Sequence, residues 1–194
     1  MIAMQPSPQK IAIVIIIVLG IFFGILIFKN SQESTYSDPS EPMLTPVYLG
    51  SLSSAKMIVG SDLRVPAHLP PGYNFSQGSL FTGKREKTQL TFQKGSDAIH
   101  VFQGKSIEPP PYFVENNKPE PVSIEGNNGT WIPGTFRDKN GEKPFNQIQW
   151  SNGGYSYWIQ SSFDKEEVIK IAVSLTPISD ELIRQIPGPQ EGGT

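Results

Sequence analysis

Apolar and polar residues alternate with a period of two along neighbouring segments of the chain. Leu90 and Phe92 alternate with Gln89, Thr91 and Gln93; beyond Lys94-Gly95-Ser96-Asp97, Ile99 and Val101 alternate with His100 and Phe102. Two such arms around a short polar turn predict a hairpin. A second hairpin is predicted from Gln147 to Ser151, Asn152-Gly153, and Gly154 to Gln160, because Asn-Gly supplies the positive φ angles of a tight turn. On its arms Ile148 and Trp150 share one face, as do Tyr155, Tyr157 and Ile159. A third turn signal, Gly126-Asn127-Asn128-Gly129, separates Val122 to Glu125 from Thr130 to Ile132.

The period then changes. Val168, Ile171, Ala172 and Leu175 recur at helical spacing behind Asp164, a good N-cap with Glu167 three residues on, and Pro177 ends the run. A shorter helix is expected over Asp180 to Ile186. Strands in hairpins followed by a helix predict an α+β fold: an antiparallel sheet of several hairpins closed by a C-terminal helix. One sheet face would be covered by the helix and the other partly open.

A different pattern occupies the N-terminus. Ile11 to Phe28 is uncharged and apolar on every side, bracketed by Lys10 and Lys29. A run of that length satisfies its backbone internally as a helix and spans a bilayer. No small-x-small cleavage site follows it, so it predicts an uncleaved signal anchor. The expected organisation is a short cytoplasmic N-terminus (1–10), a transmembrane anchor (11–28) and a Ser/Pro/Glu-rich linker (30–55). An extracytoplasmic α+β domain (56–186) and a disordered tail (187–194) complete it. Lys10 and Lys29 are two of the 16 basic residues, so 14 remain beyond them against all 18 acidic ones. This mildly acidic balance gives no reason to expect nucleic acid as a partner. The membrane is the one partner the sequence itself implies. There is no cysteine, which excludes disulfides, thiolate chemistry and an N-terminal lipid-modified cysteine.

Candidate chemistry is sparse. Gly78 to Arg85 falls one residue short of a phosphate-binding loop, with Arg85 where the magnesium-binding hydroxyl belongs, and reads as turns between strands. Pro109-Pro110-Pro111-Tyr112 matches a polyproline recognition pattern and otherwise reads as a stiff surface loop. Asp138 to Glu142 has calcium-loop residue types at the wrong spacing and reads as a turn. His68 and His100 form no metal-spaced pair. No serine sits in a nucleophile motif, and Glu166 and Glu167 suit the first turn of a helix. The sequence therefore predicts no catalytic, metal or cofactor-binding residues and no enzyme activity. Asn74-Phe75-Ser76 and Asn128-Gly129-Thr130 are glycosylation sequons, making Asn74 and Asn128 candidate glycosylation sites. Trp150 and Tyr157 can share the core face. Trp158 falls on the opposite face and is expected to be exposed; with Tyr112 it is the candidate binding surface.

The stretch VPAHLPPGY, Val65 to Tyr73, resembles the opening motif of a widespread domain of unknown function. LTFQKGSDAIHVFQ resembles that family's central hairpin and VSIEGNNGTW its glycine-containing strand turn. IQWSNGGYSYWIQSSFDKEEVIKIAVSL resembles its closing tryptophan strand, aromatic strand and helix. The resemblance covers about Val59 to Leu175. It implies the extracytoplasmic domain of anti-sigma-factor-like and lipoprotein-sorting-like membrane proteins, whose curved sheets bind acyl chains or protein partners. Only about ten residues precede the apolar run, too few for a domain that grips a sigma factor. The expectation is thus a single-pass, non-enzymatic, sensor-like binding module of the cell membrane that contacts an envelope protein. The alternative is a lipid- or glycan-binding module using the open sheet face.

Overall fold

The period-two segments do build one sheet. The computed structural model describes residues 46–82, 86–105, 118–138 and 141–188. The apolar run Ile11 to Phe28 lies outside them, and no described helix is long and apolar enough to cross a membrane. The central hairpin is β4 (Lys87–Lys94) with β5 (Asp97–Gly104), the former preceded by β3 (Asn74–Phe81) and the edge strand β1 (Pro46–Tyr48). The second half contributes β6 (Glu120–Ile124), β7 (Asn127–Ile132), β10 (Asn146–Asn152) and β11 (Tyr155–Ser161). Together they form an eight-stranded sheet in the order β1-β3-β4-β5-β11-β10-β7-β6, antiparallel at every step. A small hairpin, β8 (Thr135–Asp138) with β9 (Gly141–Pro144), leaves it between β7 and β10, with Asp138 pairing with Gly141; Lys139 and Asn140 of the calcium-like stretch lie outside the described residues.

Two turns sit elsewhere than expected, for backbone reasons. In β10–β11, Asn152 pairs with Tyr155, and the turn is Gly153-Gly154 with φ of 60° and 81°. Two residues without Cβ take these angles more cheaply than Asn-Gly, so the turn slides by one position. In β6–β7 the turn is Glu125-Gly126, held by Asn127 Nδ2 donating to the Ile124 and Glu125 carbonyls. Gly129 is then a strand residue, where a Cβ would lie 2.9 Å from the Gln149 carbonyl oxygen.

Three helices cover one face. They are α1 (Leu52–Val59), α2 (Lys165–Val173) and α3 (Asp180–Gln185). The Asp164 carboxylate caps α2 by accepting from the Glu167 N–H. Val168, Ile171 and Ala172 of α2, with Leu52 and Ala55 of α1, pack on Phe75, Leu90, Phe92, Ile99, Val101, Ile148, Ile159 and Trp131 in one continuous core. Trp150 and Tyr157 share this face, their rings stacked at 5.2 Å.

The ordered chain starts earlier than residue 56. Residues 46–55, read as linker, form β1 and the first half of α1, with Leu49, Leu52 and Ala55 buried. Three apolar residues at intervals of three, among serines, form a helix because Ser51 caps it by accepting from the Ser54 N–H. Pro187, read as the first residue of the tail, accepts from the Phe75 N–H through its carbonyl.

A second small sheet closes the helical side. β2 (Arg64–Pro66) pairs with β12 (Leu175–Pro177). Gln103 fastens it to the large sheet: its Oε1 accepts from the Arg64 N–H and its Nε2 donates to the Arg64 carbonyl, both at 2.9 Å. The amide thus stands in for a strand neighbour of β2, and the buried Gln103 loses no hydrogen bond by facing the core.

Candidate functional site

The face away from the helices carries a different chemistry. The register sets Thr91, His100, Gln160 and Gln147 side by side across β4, β5, β11 and β10. The adjacent row is Gln89, Phe102, Trp158 and Gln149. Its centre is not open as expected: Phe102, Trp158, Thr91, Gln160 and Gln147 are all buried. Thr91 Oγ1 shares a hydrogen bond with His100 Nδ1 at 3.1 Å, and Gln160 Nε2 donates to Gln147 Oε1 at 3.1 Å. Burial pushes the His100 imidazole below its ordinary value, which keeps it neutral at pH 7. Two donors in this cluster, Gln147 Nε2 and the Trp158 indole N–H, are buried without an acceptor among the described residues.

Trp158, expected as an exposed aromatic, is 2% exposed. Alternation put it correctly on the face opposite the core. Its burial is the correction: on the central strand β11 it is flanked by Phe102 of β5 and Gln149 of β10. Tyr112, its expected companion, and Pro109 to Pro111 lie outside the described residues. Asn74 and Asn128 are both exposed on strands. Gly78, the first glycine of the phosphate-loop-like stretch, is buried mid-strand in β3 against Leu49 and Leu90; Gly83 to Arg85 lie outside the described residues. Among the described residues no three His, Asp or Glu side chains gather as a metal site would require.

Exposed apolar side chains also concentrate in the first two described elements. Val47 and Tyr48 on β1 and Met57 and Ile58 on α1 are 44%, 73%, 79% and 50% exposed. Four large apolar side chains within twelve residues are an unusual surface for a chain whose other exposed positions are mainly polar. β1 is the outer strand of the sheet, with no further strand beside it among the described residues. Sequence reading missed Val47 and Tyr48 because they fell in the presumed linker (30–55), while Met57 and Ile58 lay just inside the expected domain.

A third cluster ties the Leu-Pro-Pro-Gly-Tyr loop to α2. His68 Nε2 lies 2.8 Å from Glu167 Oε1, Lys170 Nζ lies 3.0 Å from Glu167 Oε2, and the His68 N–H donates to Ser174 Oγ. The hydrogen bonds from His68 and Lys170 hold the Glu167 carboxyl below its usual range. These contacts explain the domain-opening motif: Gly72 turns the chain at φ 87°, and Tyr73 packs against Phe163.

Residues 64–175 match the family described as a domain of unknown function, DUF4367. The match takes in more than half of the 194 residues, and the chain belongs to that family. It begins at the first residue of β2 and ends at the first of β12, so the second-face cluster lies inside it and the apolar edge of β1 and α1 lies before it. No curated protein and no solved structure matches the chain.

Proposed function

We propose that this DUF4367 member is a non-enzymatic binding module, anchored in the cell membrane by Ile11 to Phe28 with its domain on the extracytoplasmic side, that contacts an envelope protein. The observation that carries the reading is the exposure of four large apolar side chains in the first described elements, Val47 and Tyr48 on the edge strand β1 and Met57 and Ile58 on α1. Burying such side chains at an interface returns roughly 25 cal/mol per Å² of apolar surface, while leaving them in water stabilises nothing in the free domain. As the outer strand of the sheet among the described residues, β1 adds main-chain donors and acceptors for an extended partner segment.

The position of this edge favours a partner in or near the same membrane. The segment between Phe28 and Pro46 is 17 residues long. It can reach at most roughly 60 Å when fully extended. The edge belongs to the first elements after it in the chain. The sensor-like half of an anti-sigma-type system is the nearest functional analogy, drawn from resemblance alone.

The test is exchange of Ile58 for Asp in the full-length chain. Ile58 is half exposed, so the fold should lose less than about 0.5 kcal/mol, while association with the partner in native membranes should be lost. Retained association would refute the reading.

A further inference from the structure

The tip of the β10–β11 hairpin carries chemistry of its own, independent of any partner. In an Asn-Gly dipeptide the side-chain amide is open to attack by the next backbone nitrogen, because the glycine has no Cβ in the way. Two such dipeptides lie wholly within the described residues, Asn128-Gly129 and Asn152-Gly153. They share their chemistry and differ in their surroundings. Gly129 is an interior strand residue, opposite Val122 on one side and Trp150 on the other. The neighbouring strand packs so closely that a Cβ there would lie 2.9 Å from the Gln149 carbonyl oxygen. Asn152 is the last residue of β10 and only partly buried. Its pair with Tyr155 ends the ladder, and Gly153 and Gly154 beyond it are exposed. Apart from chain neighbours, no described atom lies within 4 Å of a Cβ built on either of these glycines.

Cyclisation needs the peptide after the asparagine to rotate out of extended geometry, so that its nitrogen faces the side-chain carbonyl. At Asn152 that rotation moves an exposed turn peptide and the last cross-strand pair. At Asn128 it would pull Gly129 away from both neighbouring strands, and an interior strand opens far less often than the end of a hairpin. We propose that Asn152 is a site of self-modification in the folded domain, with water as the only co-reactant. The Gly153 nitrogen attacks Asn152 Cγ, the bond from Cγ to Nδ2 breaks, and ammonia departs with the Gly153 amide proton. Water then opens the five-membered imide at either carbonyl carbon. The products are aspartate at 152, or isoaspartate, in which the main chain runs through Cβ. Either product sets a carboxylate across from Tyr155, whose hydroxyl already donates to Asp62 at 3.1 Å. Isoaspartate also adds a methylene just ahead of the two-residue turn with φ of 60° and 81°. The Trp150–Tyr157 stack lies two pairs further in and is left intact.

The test is incubation of the full-length chain, in lipid nanodiscs, in mildly alkaline water enriched in heavy oxygen. Peptide mass mapping then locates the label, with fragmentation that separates aspartate from isoaspartate. The expected result is label entering at 152 at least roughly tenfold faster than at 128, the ratio set by the difference in opening cost between a hairpin end and an interior strand. Isoaspartate should be among the products at 152. In urea, where both dipeptides are released from the sheet, the two sites should react at comparable rates. Asn152→Gln lengthens the side chain by one methylene and disfavours the five-membered ring. It should stay unlabelled at 152 while keeping the parent's urea midpoint. No label at 152 in the folded chain, equal rates at the two sites, or faster reaction at Asn128 would overturn the proposal.

Discussion

Replacing Gln103 by Met removes a side chain that fastens the small sheet to the large one. Met has nearly the same length and volume, so packing is preserved and the loss is polar. Two bonds of 2.9 Å disappear, leaving the Arg64 N–H and carbonyl facing a thioether. An unpaired buried backbone group costs about 1–3 kcal/mol. Arg64 is only partly buried, so the lower half of that range applies to each group. The expected loss is about 2–3 kcal/mol. With a urea slope near 2 kcal/mol/M, the midpoint of unfolding falls by about 1 M at unchanged slope. The assay is urea unfolding of the full-length chain in nanodiscs, followed by the fluorescence of Trp150, which stacks on Tyr157 next to Gln103 in the sheet. Gln103→Asn keeps the amide but shortens it by one methylene, and should be nearly as damaging because neither bond is reached. A loss below about 0.5 kcal/mol for Gln103→Met would show that Arg64 finds other partners and that the small sheet is held by its apolar contacts alone.

Further outcomes follow from the same geometry. Gly104→Ala should cost at least about 2 kcal/mol, since its Cβ would lie 2.4 Å from the Glu86 carbonyl oxygen and part β4 from β5; thermal unfolding reads this directly. Asp164→Ala should cost about 1 kcal/mol through the lost cap of α2, and Asp164→Asn much less. The Glu167 carboxyl is held below its usual range in the folded state, so it stabilises above the unfolded carboxylate value and loses that contribution as pH falls through the folded one. Glu167→Gln should thus be less stable than the parent by about 0.5 kcal/mol at pH 7, and the difference should shrink as pH falls below the ordinary glutamate value of about 4.3 and vanish below the folded-state value, as urea midpoints along a pH series will show.

The features legible in the sequence are those written locally. Alternation around Lys94 to Asp97, the aromatic arms about Gly153, and the Asp164 cap each depend on residues a few positions apart, and each element formed. β3 escaped because it does not alternate: a bulge between Phe75 and Gln77 lets both Phe75 and Leu80 face the core. α1 escaped because its serines hid an i, i+3 stripe. The β2–β12 pair joins segments more than a hundred residues apart through three residues each, a contact no local period encodes. The candidate site divides in the same way. Alternation placed Trp158 on the second face, but its cross-strand neighbours and its burial are not written in its own strand. The exposed edge of Val47 to Ile58 could be recognised only once its neighbours Leu49, Leu52 and Ala55 were seen in the core.

The most direct measurement is site-specific photocrosslinking in native membranes from Met57 or Tyr48, both on the apolar edge. Ser96, exposed in the β4–β5 turn at the far end of the β3–β4 strands, provides the comparison. The account predicts one discrete protein adduct from Met57 and Tyr48, none from Ser96, and loss of the adduct when Ile58→Asp is added to a chain that still unfolds at the parent's urea midpoint. Adducts only to lipid or to a second copy of the chain, or the same adduct from Ser96, would contradict it.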